Sequence, residues 1–202
     1  MRIVSRSRSA VAALCAAVTV AVLAVASPAT AAPVSPAAQV TISNGIWVIN
    51  TVGPDGVLQY GFDRVVDVAG WSFDDRGRVH MWDFRNNGNF DNQRWNFINL
   101  GQGLYQIKNK NSSKCLDKSM DNGNVDGALV YQFSCAANHP SNQVWYLDNL
   151  GLNGYLRIRS WADNRCLDIR GKVDADDATV QVYGCNSTGW NQAWAPKYWS
   201  AS

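Results

Sequence analysis

The sequence predicts an all-β fold built from three similar units. The tetrapeptide Asn-Gln-x-Trp occurs at residues 92–95, 142–145 and 191–194, an even spacing that indicates an internal repeat. Short segments rich in β-branched and aromatic residues, such as YQIKN and TVQVY, are separated by Gly, Asn and Asp, which is typical of strands and turns. No segment has a convincing helical period. Three units of about four short strands each predict a closed β structure, since closure removes exposed sheet edges.

The three repeats align over their whole length when the tetrapeptides are set in register. Each repeat has an Asp at its third aligned position and an aromatic residue midway to the tetrapeptide. These two sets are Asp67, Asp117 and Asp168, and Trp82, Phe133 and Tyr183. Tryptophan buries a large area and a threefold fold has a threefold core, so we expect Trp95, Trp145 and Trp194 to be core residues.

Cysteine usage indicates two disulfides. Of the five cysteines, Cys15 lies in an N-terminal apolar run, which leaves an even number in the repeats. Four cysteines allow three pairings. Each pair brackets the motif of one repeat, so the repeat favours pairing within repeats: Cys115–Cys135 and Cys166–Cys185. The first repeat has Val65 and Phe84 at these positions, and an apolar pair can fill the space of the missing bridge.

The N-terminus has the order of a secretory signal peptide, which we predict at residues 1–31. It contains three arginines, no acid, and an apolar run from Ala10 to Ala26 that is shorter than the ~20 residues needed to span a bilayer. Removing those three of the 18 basic residues leaves 15 against 16 acidic ones. A net charge this close to zero gives no indication of nucleic-acid binding. No other apolar run is long enough to span a membrane. We expect a secreted protein.

The motifs CLD, VQVYGC and NQAW together resemble the ricin B-chain type of lectin, the Gln-x-Trp β-trefoil. The resemblance covers about residues 44–199. It implies a β-trefoil of three lobes with pseudo-threefold symmetry and one potential sugar pocket per lobe. The implied organisation is a linker at 32–43 and a lectin domain at 44–202, with lobes at about 44–100, 101–150 and 151–200.

The residue types in each repeat suit a galactose-type sugar. A carboxylate accepts hydrogen bonds from two hydroxyls, an amide both donates and accepts, and an aromatic ring covers the apolar face of the sugar. The predicted third-lobe set is Asp168, Gln181, Tyr183, Asn191 and Gln192. The first-lobe set is Asp67, His80, Trp82, Asn92 and Gln93. The second-lobe set is Asp117, Tyr131, Phe133, Asn142 and Gln143.

The three sets differ in how well they match the family pattern. The third lobe matches at every polar position. The first has His80 in place of Gln, and histidine can still donate and accept. The second departs most, with Tyr131 at the Gln position and Phe133, which has no polar tip. We expect the Gln of each tetrapeptide to hold a turn by backbone hydrogen bonds rather than to contact ligand.

We therefore predict a secreted carbohydrate-binding lectin module that recognises galactose-type sugars or a related polysaccharide, without catalysis, cofactor or metal. With two histidines, and with every cysteine of the repeats assigned to a disulfide, the sequence shows no zinc spacing and no nucleophile–His–acid arrangement. The acidic run Asp174–Asp177 is expected to be a solvated turn. Two alternatives remain open: a protein-binding trefoil, such as a toxin-delivery subunit or inhibitor, and a targeting partner of a separate glycoside hydrolase.

Overall fold

The computed structural model describes residues 41–51, 64–85, 87–151, 154–186 and 188–198. Their regular structure consists of β-strands and short 3-10 helices. Across these ranges no helix has the length and apolarity needed to cross a membrane. The predicted signal peptide and most of the linker lie outside the described residues. Of the linker's last residues, Ile42 is buried and its backbone N–H donates to the Tyr105 hydroxyl at 3.0 Å.

Four strands belong to each predicted lobe. In the first lobe they are β1 Gly45–Thr51, β2 Arg64–Val68, β3 Gly77–Asp83 and β4 Trp95–Gly101. In the second they are β5 Leu104–Asn109, β6 Cys115–Lys118, β7 Ala128–Phe133 and β8 Trp145–Asn149. In the third they are β9 Leu156–Ser160, β10 Cys166–Ile169, β11 Val180–Tyr183 and β12 Trp194–Tyr198.

The outer strands of each lobe close into a six-stranded antiparallel ring. Around the ring, β1 pairs with β12, β12 with β9, β9 with β8, β8 with β5, β5 with β4, and β4 again with β1. The closure predicted from the repeat is therefore present, since each of these six strands pairs with a neighbour on both sides.

The inner strands form three hairpins, β2–β3, β6–β7 and β10–β11. The hairpins also contact one another: β3 pairs with β7, β7 pairs with β11, and an isolated bridge joins His80 to Thr179. The loop of each hairpin thereby lies beside the next lobe.

The core lies where ring and hairpins meet, and it is organised around the three repeated tryptophans. Trp95, Trp145 and Trp194 have no exposed surface and belong to one hydrophobic cluster, which confirms the core prediction. Each tryptophan starts the last strand of its lobe and directly follows a short 3-10 helix and one connecting residue. These helices, which we call the Asn-Gln turns, are Asp91–Gln93, Ser141–Gln143 and Trp190–Gln192.

Candidate carbohydrate-binding sites

Each predicted site is built on the inner hairpin of its lobe. The repeated aspartate stands directly opposite the predicted polar partner on the next strand: Asp67 opposite His80, Asp117 opposite Tyr131, and Asp168 opposite Gln181. Alternate residues of a strand point to the same face, so the aromatic residue two positions further on lies on the same side. The Asn-Gln turn then brings the amide to the aspartate.

In the third lobe the aspartate is held by three side-chain amides. Gln181 Nε2 donates to Asp168 Oδ1 at 2.8 Å, and Asn191 Nδ2 and Gln192 Nε2 donate to Oδ2 at 2.5 and 2.9 Å. A carboxylate offers about four acceptor positions. Tyr183 is 47% exposed, so its ring is open to solvent beside this buried polar cluster.

Burial sets the electrostatics of this cluster. Asp168 is 3% exposed, and burial raises its pKa above the ordinary aspartate value, while the hydrogen bonds from Gln192 and Gln181 oppose the rise. Arg170 Nε donates to Gln181 Oε1 at 2.7 Å, which orients the Gln181 amide nitrogen towards the carboxylate. Sequence comparison of the repeats does not single out Arg170, because the aligned residues of the other lobes have different side chains.

The first lobe replaces the amide of Gln181 with an imidazole between two carboxylates. His80 Nε2 lies 3.0 Å from Asp67 Oδ1, and His80 Nδ1 lies 2.8 Å from Asp177 Oδ1 of the third lobe. Asn92 Nδ2 donates to Asp67 Oδ2 at 2.9 Å. The Trp82 ring lies beside the imidazole, with 5.3 Å between ring centroids.

The two carboxylates govern the protonation of His80. Burial lowers its pKa, but the hydrogen bonds to Asp67 and Asp177 raise it by more, so the net pKa lies above the usual histidine value. A protonated imidazole donates from both nitrogens, which matches two acceptor partners.

The second lobe forms an open pocket of about 260 Å³. All five predicted residues line it, together with Ser134, Ala136 and Pro140: Asp117, Tyr131, Phe133, Asn142 and Gln143. Asn142 Nδ2 lies 3.0 Å from both carboxylate oxygens of Asp117. The lobe that departs most from the sequence pattern therefore still brings its residues together. Phe133 takes the place of the third lobe's Tyr183, and Tyr131 takes the place of Gln181.

The Asp117 carboxyl is a weaker acid than an ordinary aspartate. Burial raises its pKa to about 6, although hydrogen bonds from Gln143 and Asn142 oppose the rise. The guanidinium of Arg76 lies 5.0 Å from the centroid of the Tyr131 ring, so a cation stands at the edge of this pocket.

The repeated tryptophans fix the strands that carry the aspartates. The indole N–H of Trp95 donates to the Val66 carbonyl at 2.9 Å, that of Trp145 to Leu116 at 3.1 Å, and that of Trp194 to Leu167 at 3.1 Å. Each acceptor directly precedes a site aspartate. The Trp of the motif therefore both fills the core and sets the position of the carboxylate.

The repeated glutamines fix the other strand. Each is buried, and each amide nitrogen donates to the carbonyl of the residue after the site aromatic: Gln93 to Asp83 at 2.9 Å, Gln143 to Ser134 at 3.0 Å, Gln192 to Gly184 at 3.0 Å. Each amide oxygen accepts a backbone N–H two residues further on, from Arg85, Ala136 and Asn186. These contacts fit the expected turn-holding role, and they explain why Gln recurs in every lobe.

Disulfides close two of the three sites. Cys115–Cys135 and Cys166–Cys185 are both formed within their repeats, with Cα–Cα distances of 5.1 Å. In the first lobe Val65 is buried and the Phe84 ring packs edge-on against Phe90 with 5.2 Å between centroids. Apolar side chains thus stand at both positions that the bridge takes in the other lobes.

Among the described residues, no group of three His, Cys, Asp or Glu side chains is arranged to hold a metal ion. In the same part of the chain, Asn92 Oδ1 and Asn191 Oδ1 are buried without a hydrogen-bond partner. Both amides donate to their aspartate through nitrogen, so the oxygen of each remains an unused acceptor within the constellation.

The comparisons with known proteins agree with this architecture. The family model described as ricin-type beta-trefoil lectin domain-like matches residues 91–183 and, in an overlapping second match, residues 141–197. The chain therefore belongs to the ricin-type β-trefoil lectin-like family. No curated protein matches the chain.

Three solved structures illustrate the likeness. A designed threefold-symmetric protein, ThreeFoil, is 28% identical with a TM-score of 0.64, over 75% of this chain and 97% of its own. An exo-β-1,3-galactanase from Clostridium thermocellum is 25% identical with a TM-score of 0.62, over 76% of this chain and 30% of its own. The C-half of an earthworm R-type lectin in complex with GalNAc is 17% identical with a TM-score of 0.54, over 76% and 98%. The match to a lectin-like family supports carbohydrate binding.

Proposed function

We propose that this protein is a secreted lectin of three pseudo-threefold lobes that binds galactose-type sugars, or a polysaccharide containing them, without catalysis. The observation that carries the proposal is the recurrence in every lobe of one carboxylate and one ring at the same strand positions, with one Asn amide that reaches the carboxylate from the Asn-Gln turn. Packing of the threefold core explains why the tryptophan is repeated. It does not explain why an aspartate beside a partly exposed ring is repeated as well.

The chemistry of the constellation suits a sugar ring. Fixed hydrogen bonds from the amides hold each carboxylate in place, which lowers the ordering cost when hydroxyls bind. The exposed Tyr183 ring offers an apolar face to the C–H side of a galactose-type ring. The recurring set has one carboxylate per lobe, whereas glycoside hydrolysis uses a pair of carboxyl groups across the bond.

Each site should be weak alone and strong in combination. A shallow site of this kind should bind a monosaccharide with a dissociation constant on the order of millimolar, about −4 kcal/mol. A branched or densely displayed glycan that engages two or three lobes should gain about 10²–10⁴ in avidity without new contacts. The natural ligand is therefore proposed to be a multivalent glycan surface.

A second candidate is a targeting partner of a separate glycoside hydrolase. The likeness to the Clostridium thermocellum galactanase favours it, since this chain spans only 30% of that enzyme. In this role the chain would still bind sugar through the same lobes, and the proposed organisation of signal peptide, linker and lectin domain stays the same. The two disulfides and the lectin family are consistent with an extracellular protein.

A glycan array tests the proposal. Repeated binding to glycans that end in galactose-type sugars, reduced by Asp168→Ala, is the expected result. Binding to a different sugar class would overturn the galactose assignment while retaining the lectin. Absence of binding to every glycan, with capture of a protein partner that competes for the lobes, would overturn the lectin and favour the protein-binding alternative.

A further inference from the structure

The residue after each site aromatic is held by the preceding lobe as well as by its own. Its carbonyl accepts from the glutamine of its own Asn-Gln turn. Its backbone N–H donates to an aspartate of another lobe's hairpin loop. The three pairs are Ser134 to Asp75 at 2.7 Å, Gly184 to Asp126 at 2.9 Å, and Asp83 to Asp176 at 2.8 Å.

The same aspartate oxygen also binds a cation at the start of the adjacent strand. Asp75 Oδ1 lies 2.6 Å from Lys114 Nζ, and Asp126 Oδ1 lies 2.7 Å from Arg165 Nε. Asp176 Oδ1 lies 3.5 Å from Arg64 Nε. Each cation directly precedes Cys115, Cys166 or Val65, so each aspartate joins the two strand ends that frame a site.

The arrangement runs cyclically around the molecule. The first lobe supplies Asp75 to the second, the second supplies Asp126 to the third, and the third supplies Asp176 to the first. In every case one oxygen accepts the equivalent N–H and lies near the equivalent cation; at Asp176 the cation contact is an ion pair without a hydrogen bond. The turn Asp174–Asp177, expected from sequence to be simply solvated, is therefore engaged with the first lobe.

We propose that these aspartates, which we call the bridging aspartates, position the recognition sites, so that every site is completed by the preceding lobe. The inference rests on the proposed sugar binding. The residue that follows the site aromatic is fixed at its N–H by the preceding lobe and at its carbonyl by its own lobe. Loss of the N–H acceptor frees that residue and with it the neighbouring ring that covers the sugar.

The first site depends most on its bridging aspartate, because no disulfide holds its strand ends. The third lobe also contributes Asp174, whose Oδ1 lies 2.6 Å from Arg64 Nη1, and Asp177, which contacts His80. In the third site, by contrast, Cys166–Cys185 holds the same strands covalently.

The test isolates the first site. Asp117→Ala and Asp168→Ala are combined to disable the other two lobes, and free galactose is titrated while amide NMR shifts near Trp82 are followed. Adding Asp176→Ala should weaken galactose binding about fivefold, the loss expected of one hydrogen bond. Adding Asp176→Asn should restore affinity to within about twofold, because the amide oxygen still accepts the Asp83 N–H.

Asp126→Ala in the same background is the matched control. It removes an identical contact, but at the disabled third site, and should leave galactose affinity unchanged. Equal affinity with and without Asp176→Ala, or an equal loss from Asp126→Ala, would overturn the positioning role. A background protein that is folded but binds no galactose would instead refute the proposed function of the first lobe, and the positioning role with it.

Discussion

The first and third lobes solve the same structural problem by different means. Both present an aspartate and a ring on an inner hairpin, with an Asn amide from the Asn-Gln turn, and both fix the hairpin through Gln and Trp of the tetrapeptide. The third lobe closes the ends of the hairpin with a disulfide and holds its carboxylate with amides. The first lobe has Val65 and Phe84 in place of the cysteines, draws three aspartates from the third lobe, and holds its carboxylate with a histidine.

The comparison of the two lobes shows which parts of the repeat can be replaced. A covalent bridge can be replaced by apolar packing and ion pairs, and an amide by an imidazole. The tetrapeptide is kept in all three lobes, since it supplies contacts to both strands of every hairpin. The first site has no disulfide and is held by more ion pairs, so it should respond more strongly to salt than the third, and its imidazole should add a pH response of its own.

The largest effect is expected from the element common to all lobes. Trp145→Ala should lower the free energy of unfolding by about 3–5 kcal/mol, because a buried tryptophan and its cavity are involved. Trp145→Phe keeps most of the packing and loses the hydrogen bond to Leu116, so it should cost less. Chemical denaturation with calorimetry measures both. A Trp145→Ala protein with native stability and lost sugar binding would contradict the core assignment.

Next comes the disulfide of the third lobe. Replacing Cys166 and Cys185 with Ala opens a loop with a sequence separation of 19 residues. It should lower the free energy of unfolding by about 3 kcal/mol at any salt concentration. Arg64→Ala in the first lobe should lower it by about 1 kcal/mol or less, and this smaller loss should shrink in 1 M salt. Denaturant titrations at low and high salt compare the two, and an equal salt response in both proteins would refute the contrast.

Recognition by the third lobe should depend on its carboxylate. Asp168→Ala leaves three amide donors without their acceptor and removes the charged partner for sugar hydroxyls, so affinity at this site should fall by about 1.5–3 kcal/mol. Tyr183→Ala should weaken the same site through lost stacking. Isothermal titration calorimetry on folded variants measures affinity and stoichiometry. Unchanged values would show that Asp168 does not contribute to sugar binding.

The smallest effect is the pH response of the first lobe. A histidine whose folded pKa is raised stabilises the fold fully below its unfolded pKa of 6.5, and this contribution is lost as pH rises through the folded value. The free energy of unfolding should therefore fall across the window just above pH 6.5. His80→Gln, which copies the third lobe, should remove this part of the pH dependence. Melting curves recorded over a pH series measure this dependence. An identical change of stability with pH in the wild type and in His80→Gln would contradict the role given to His80.

Much of the architecture could be predicted from the sequence, because it follows from the repeat. The tetrapeptide fixes the period, the period places the cysteines in pairs, and the buried tryptophans follow from their size. The alignment also brings Asp168, Gln181 and Asn191 together, since strand pairing and the Asn-Gln turn place them side by side.

Contacts between lobes could not be predicted in the same way. Asp75, Asp126 and Asp176 recur at nearly the repeat spacing, but sequence does not show that each hairpin loop lies on the next lobe. Lys118 is a further case: it is fully buried, and its Nζ lies 3.0 Å from Asp163 Oδ2 of the third lobe. At the aligned position the other lobes have Val68 and Ile169, so only the tertiary structure reveals its partner.

If the lobe aspartates bind the glycan, a double variant that removes two of them should lose retention on a glycan surface. Retention on a surface densely coated with galactose is compared for the wild type, for Asp67→Ala with Asp168→Ala, and for Asp74→Ala with Asp121→Ala. The last variant is a control with the same change of charge outside these two sites. We expect the first double variant to remain folded at the assay temperature and to lose most of its retention, while the control is retained. Retention of the Asp67→Ala, Asp168→Ala protein as strong as that of the wild type would show that these aspartates do not bind the glycan.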